Sequence, residues 1–123
     1  MLKKQTLVSS FTSGLNGILT VPGDKSISHR SLIIAGMAIG QTEIRGLLRS
    51  EDVLSTLCAM RQLGVTIEDN FEKNVITVNG AGTCGFNRPN KPLDLGNSGT
   101  GVRLLMGAIA GQPLKARLIG CLL

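Results

Sequence analysis

The chain has 123 residues, a formal net charge of +5, and 42% hydrophobic but only 2% aromatic content. That is the size of one ordinary domain with an aliphatic core, and the basic balance favours acidic partners such as phosphorylated metabolites, carboxylates or nucleic acid. Three cysteines without C-x-x-C spacing argue against zinc and for a reduced, cytoplasmic chain, and neither a signal peptide nor a bilayer-spanning apolar stretch is legible.

Residues 5–11 alternate weakly, as a strand does, and Asn16 and Gly17 mark a turn before a second strand candidate, "ILTV" at 18–21. After Pro22 and Gly23 the period changes. Ile27, Ser31, Ile34, Ala35 and Ala38 recur at helical spacing and predict a helix with that inner face, stopping near Gly40. "TEIRGLL" (42–48) reads as a buried strand. Ser50 is a good N-cap for a second helix, with Glu51 and Asp52 as dipole partners, Val53, Leu57 and Met60 on the inner face, and Gly64 as its stop. "VTIED" and "VITVNG" flank "NFEKN" as a hairpin. A loop with two prolines, 81–92, leads to a short strand, "LDL". A third helix starts near Ser98, carries Val102, Leu105, Met106 and Ile109 inward and ends at Gly111 and Pro113, and "KARLIG" is a last strand. From residue 17 the order is β-α-β-α-β-β and then β-α-β. This is an α/β (α+β) pattern of repeated units, best met by a mixed sheet with helices packed on one side.

Two segments carry chemistry. In "GDKSISHR" (23–30), Asp24 stands between Gly23 and Lys25, where a nucleotide-binding P-loop requires glycine directly before lysine, and a carboxylate there would repel phosphate. What remains is a helix N-terminus, whose free N–H groups and dipole attract anions. Lys25 and Ser26 lie in its first turn. Ser26 and Arg30 share one face, and arginine grips a carboxylate through two parallel bonds. The alternative is that Ser26 or Ser28 caps the helix while the cations are solvated; the pattern leaves both open. His29, next to Arg30, fits a neutral, hydrogen-bonded structural histidine better than a catalytic one.

In "DLGNSGTGVR" (94–103) the glycine spacing does not fit a dinucleotide fingerprint. Gly96, Gly99 and Gly101 let a ligand approach backbone at another helix start, with Asn97, Ser98, Thr100 and Arg103 as polar groups. An anion site accounts for this set better than a glycine-rich cap alone. Elsewhere Glu68, Asp69, Glu72 and Lys73 decorate the hairpin, Cys58 reads as a small core residue, and Cys84 lacks an activating base.

Together, "PGDKSISHRSL" (22–32) and "LDLGNSGTGVRLLMG" (93–107) resemble the two signatures of the enolpyruvyl transferases, most closely those of the EPSP synthase family, and "SEDVLSTLCAMRQLGV" (50–65) resembles the segment between them. The resemblance implies a fold of two domains, each of three β-α-β-α-β-β units. Residues 1–20 would be strands belonging to the other domain, and 21–123 the first unit and the start of the second. It implies transfer of the enolpyruvyl group of phosphoenolpyruvate to the 5-hydroxyl of shikimate 3-phosphate, releasing phosphate, with no cofactor. Lys25 would contact both substrates, Ser26 and Arg30 the shikimate moiety, and Gly99 phosphoenolpyruvate, with Asn97, Thr100 and Arg103 in support. Family members are much longer. Their phosphate-binding serines, proton-transferring carboxylates and further arginines have no counterpart here, so the resemblance implies an N-terminal piece, inactive alone, whose partners are the remainder and the two anionic substrates, and whose unpaired strands favour self-association. Leu104 stands where part of the family has proline. The UDP-N-acetylglucosamine enolpyruvyl transferases share the fold but follow the early lysine with asparagine, where this chain has Ser26. A small RNA-binding module of similar fold is a further alternative, weakened by the near absence of aromatic residues for stacking; no nucleic acid or membrane partner is expected.

Overall fold

The computed structural model describes residues 6–120; Cys121 and the ends of the two expected domain segments lie outside them. Three helices, α1 (Lys25–Met37), α2 (Glu51–Gln62) and α3 (Gly99–Ala110), alternate with strands β1 (Ile39–Arg45), β2 (Thr66–Asn70), β3 (Val75–Ala81), β4 (Leu93–Asp94) and β5 (Leu118–Ile119). The first three strands form an antiparallel sheet in the order β1-β3-β2, and β4 and β5 pair in parallel. The α/β class with its helices and mixed strand directions is therefore as expected.

The sheet register follows the apolar alternation. Ile44 sits opposite Ile76 and Ile67 opposite Val78, so these side chains share one face of the sheet. α1 and α2 cover that face, and Leu32, Ile33, Val53, Leu57, Met60 and Leu63 meet it in one aliphatic core. Each such side chain removed from water contributes about 1.5–3 kcal/mol. Leu105 and Ile109 join α3 to the same core. α2 ends as its sequence suggests: Gly64, at φ +91°, donates to Arg61, and Val65 donates to Met60, so glycine's left-handed conformation closes the last turn.

Several expectations need correction. Residues 6–24 form no strand, so the described part of the 5–11 candidate, 6–11, and the 18–21 candidate are not strands here; Leu7, Phe11 and Ile18 stand in solvent. A strand exists only with a partner, and no described strand pairs with this segment. β1 begins three residues earlier than "TEIRGLL" and ends before Gly46, whose φ is +69°; it is mostly exposed rather than buried, with only Thr42 and Ile44 partly covered. On α1 the buried side chains are Ser28, His29, Leu32, Ile33 and Ala35, while Ile27 is 65% and Ile34 64% exposed. Apolar residues occur all round this helix, so spacing alone could not choose its inner face. Met106 is likewise exposed on α3, and Cys58 is exposed on α2 rather than in the core.

Candidate functional site

The start of α1 is built by a residue whose carboxylate argued against a P-loop. Asp24 is the N-cap, its Oδ1 accepting from the backbone N–H of Ile27 at 2.8 Å. Neither Ser26 nor Ser28 caps. The Ser28 hydroxyl instead donates to the Asp24 carbonyl at 2.7 Å and accepts from the Leu48 N–H at 3.0 Å, tying α1 to the loop after β1. Ser26 thus keeps its hydroxyl for other partners, and Arg30 Nη1 reaches back to the Ser26 carbonyl at 3.1 Å with its head exposed.

Lys25 is not a loose surface cation. Its Nζ forms an ion pair with Asp52 Oδ2 in the first turn of α2, and that contact holds the Asp52 carboxyl below its ordinary value. Asp52 was expected to serve only the helix dipole; its side chain also fixes the ammonium that the resemblance assigns to both substrates. Ser50 occupies the N-cap of α2, but its hydroxyl caps nothing and is buried without a partner among the described residues. The loop before α2 is held instead by Arg49, whose Nη1 and Nη2 grip Asp69 at 2.9 and 2.6 Å while its guanidinium lies 4.6 Å from the Phe71 ring centroid. Asp69 therefore does more than decorate the hairpin.

At α3 the turn from β4 is closed by Gly96, whose N–H reaches Asp94 Oδ1 at 2.9 Å and whose φ is +53°. Ser98 is the N-cap, accepting from Gly101 N–H at 3.0 Å. The three glycines do different work. Gly101 is buried, and a Cβ there would stand 2.7 Å from Ser98 Oγ and 2.8 Å from Thr56 Oγ1. Gly99, first residue of the helix, faces open space, with nothing within 4 Å of where a Cβ would be. Asn97 and Arg103 are exposed and Thr100 half-buried, and no side-chain hydrogen bond is recorded for them among the described residues.

Thr56 joins the two helix starts. His29, fully buried, places its Nδ1 2.9 Å from Thr56 Oγ1, the same oxygen that bounds Gly101. Both segments singled out in the sequence therefore lean on one turn of α2. Asp52 and Thr56, four residues apart on that helix, are the functional candidates that sequence reading missed. A polar residue between Val53 and Leu57, on a face otherwise apolar, was the available signal for Thr56.

Burial is the main force holding the His29 imidazole below its ordinary value of 6.5; the nearby Lys25 and Arg30 charges reinforce this and Asp52 opposes it. The unfolded imidazole takes its proton near pH 6.5 while the folded one resists, so its contribution to stability is complete above about pH 6.5 and declines as pH falls below it. Urea unfolding at stepped pH should show this loss between neutrality and pH 5, with a shallower slope in His29→Asn. Equal slopes in the two proteins would remove the assignment.

Arg30 also borders two open grooves, one against α3 of about 320 Å3 and one against β1 of about 590 Å3. Ile34 lines both; Ile33, Met37 and Leu104 make the first largely apolar, whereas Ser31, Thr42, Glu43 and Arg45 join the second, and neither takes in Lys25 or Gly99. The candidate anion-binding positions thus lie on an open wall rather than in a closed pocket. No cluster of three metal-ligating side chains occurs among the described residues, and no helix among them is long and apolar enough to cross a membrane.

The sequence model of the family described as EPSP synthase (3-phosphoshikimate 1-carboxyvinyltransferase) matches residues 10–121. A 3-phosphoshikimate 1-carboxyvinyltransferase of Parvibaculum lavamentivorans is 50% identical over 115 residues, which are 94% of this chain and 25% of that protein. One from Lactococcus lactis subsp. cremoris is 55% identical over 109 residues, 89% of this chain and 25% of its own length. Among solved structures, EPSP synthase from Acinetobacter baumannii superposes with a TM-score of 0.80 at 43% identity, over 85% of this chain and 23% of that one. The chain spans about a quarter of the length of the curated relatives it matches.

Proposed function

The chain belongs to the EPSP synthase family, and on that premise we propose that it supplies one wall of a site joining phosphoenolpyruvate to shikimate 3-phosphate. The reaction moves the enolpyruvyl group to the 5-hydroxyl of shikimate 3-phosphate and releases phosphate, without cofactor or metal. The observation that carries the reading is the meeting of two helix N-termini on Thr56, with Lys25 held at their edge by Asp52. Both substrates are polyanions, and helix starts with fixed cations suit them.

Within that wall Arg30 takes the shikimate carboxylate with its exposed guanidinium, Ser26 hydrogen-bonds the same moiety, and Lys25 reaches both substrates. Gly99 lets phosphoenolpyruvate lie against backbone N–H groups, with Asn97, Thr100 and Arg103 supporting that loop. Asp52 opposes the Lys25 charge in the absence of substrate and sets where the ammonium points.

The described residues form only an open wall, so the chain by itself should turn nothing over. The apolar side chains at Leu7, Phe11 and Ile18 are proposed to be covered by strands contributed by the rest of the protein, and to promote self-association where that is missing. Cytoplasmic location fits the unpaired Cys58 and Cys84. Nucleic acid is not a partner in this reading.

A phosphate-release assay with both substrates tests it. The purified chain alone should stay at background, and mixing it with the complementary C-terminal portion of the Lactococcus lactis relative should restore turnover. Arg30→Lys should then lower the restored rate about tenfold or more, because a lysine cannot reproduce the forked grip. Turnover by the chain alone, or an Arg30→Lys mixture as active as its parent, would overturn the proposal.

A further inference from the structure

A fully buried histidine lies one turn behind the anion-attracting cations, and nothing in the proposed chemistry uses it. His29 has no exposed surface, and among the described residues its ring is hydrogen-bonded to Thr56 Oγ1 at 2.9 Å through Nδ1. Its Nε2 is buried without a partner among the described residues. A buried orphan N–H costs more than a buried orphan lone pair, so the neutral form protonated at Nδ1, donating to Thr56, is favoured. Thr56 is itself fully buried, and its oxygen bounds the space at Gly101, where only glycine lets α3 approach α2. The same Gly101 N–H is held by the Ser98 cap. A continuous chain of contacts thus runs from the first turns of α1 through α2 to the first turn of α3. The charged groups around the imidazole are Lys25 and Arg30 on α1 and Asp52 on α2, while α3 contributes the uncharged Ser98 and Gly101 to this junction.

We propose that His29 is a positioning residue: through Thr56 it sets the separation between the start of α1, with Ser26 and Arg30, and the start of α3, with Gly99 and Thr100. It touches neither ligand. A helix start shifted by a few tenths of an ångström still folds but aims its N–H groups away from an anion, so the effect appears in binding geometry before stability. The inference rests on the proposed function for the identity of the ligands, but the junction itself can be tested without them.

The test uses the 15N-labelled 123-residue chain as wild type, Thr56→Val and His29→Asn. Thr56→Val keeps the shape and removes the oxygen; asparagine presents an amide where Nδ1 stands. Without ligand, the wild-type ring shifts should report the Nδ1-protonated tautomer. The amides of Gly99, Thr100 and Gly101 should follow the His29 ring when pH is lowered from 7.5. Thr56→Val should abolish that link and move both helix starts while the spectrum elsewhere stays folded, and His29→Asn, whose amide can still meet Thr56, should leave the amides of Gly99 to Gly101 close to wild type. Amides at α3 that ignore the His29 titration, or that are unmoved in Thr56→Val, overturn the inference. Shikimate 3-phosphate is then titrated into each protein. Binding weakened about fivefold in Thr56→Val but kept near wild type in His29→Asn supports positioning; equal affinity in all three overturns it. Should shikimate 3-phosphate move no amide at residues 25–30 of the wild type, the functional reading falls, and the ligand-free spectra still decide the role of His29.

Discussion

Replacing Gly80 with alanine should cost the chain about 3 kcal/mol, the upper end of what overpacking exacts. Gly80 lies on β3, paired with Gly40 of β1, at the point where α1 comes down on the sheet. A Cβ there would run into the carbonyl oxygens of Ala35 and Ala38 and come within 2.9 Å of the Ala38 carbonyl carbon. These are backbone atoms at the end of α1, where the Ala38 oxygen also accepts from Gly82 N–H at 2.9 Å. They cannot swing aside as a side chain can. Relief requires α1 to lift from β3, which opens the packing of Leu32 and Ile33 and moves the helix that carries Lys25, Ser26 and Arg30. Chemical unfolding should show the full loss, and anion binding at α1 should fall with it. A Gly80→Ala protein as stable as its parent would mean that α1 sits farther from the sheet than described.

Sequence reading succeeded where a local signal and the tertiary structure agreed. Val53, Leu57 and Met60 on α2, the β2–β3 hairpin and the start of α3 all combine a clear period with a turn or cap residue, and each is found in place. It failed where the deciding partner is distant. The alternation at 5–11 and 18–21 describes residues able to pair, but pairing needs a neighbouring strand, and none of the described strands takes that role. The face of α1 is set by which side meets β3, something that Ile27, Leu32, Ile33 and Ile34 cannot announce among themselves. The candidate site divides in the same way. Lys25, Ser26, Arg30 and Gly99 were legible as helix-start residues because dipole and cap rules are local. The partners that orient them, Asp52 for Lys25 and Thr56 for His29, lie 27 residues away in each case and were visible only as a helix-dipole carboxylate and an unremarked threonine.

Gly99→Ala should separate binding from folding more cleanly than any other substitution in the chain. The three glycines of the α3 turn look alike in sequence, yet the structure gives them different constraints. Gly101→Ala would bring a methyl within 2.8 Å of two buried hydroxyl oxygens, so a loss of function there reports disturbed packing. Gly99 meets nothing within 4 Å, does not adopt a left-handed backbone and opens a helix. Alanine there should leave stability unchanged or raise it by about 0.5 kcal/mol, since it restricts the unfolded chain and favours the helix. The methyl instead projects into the space that the proposed function gives to phosphoenolpyruvate. In the enzyme assembled from this chain and its complementary portion, Gly99→Ala should raise the KM for phosphoenolpyruvate at least about tenfold, as expected when a methyl enters a close backbone–ligand contact worth roughly 1.4 kcal/mol or more. The KM for shikimate 3-phosphate, held at the start of α1, should change little. Unchanged unfolding with a selective loss of phosphoenolpyruvate places that ligand against Gly99. Parallel losses for both substrates, with stability intact, would instead mean that the two helix starts bind one ligand jointly, and the division of roles between α1 and α3 would have to be abandoned.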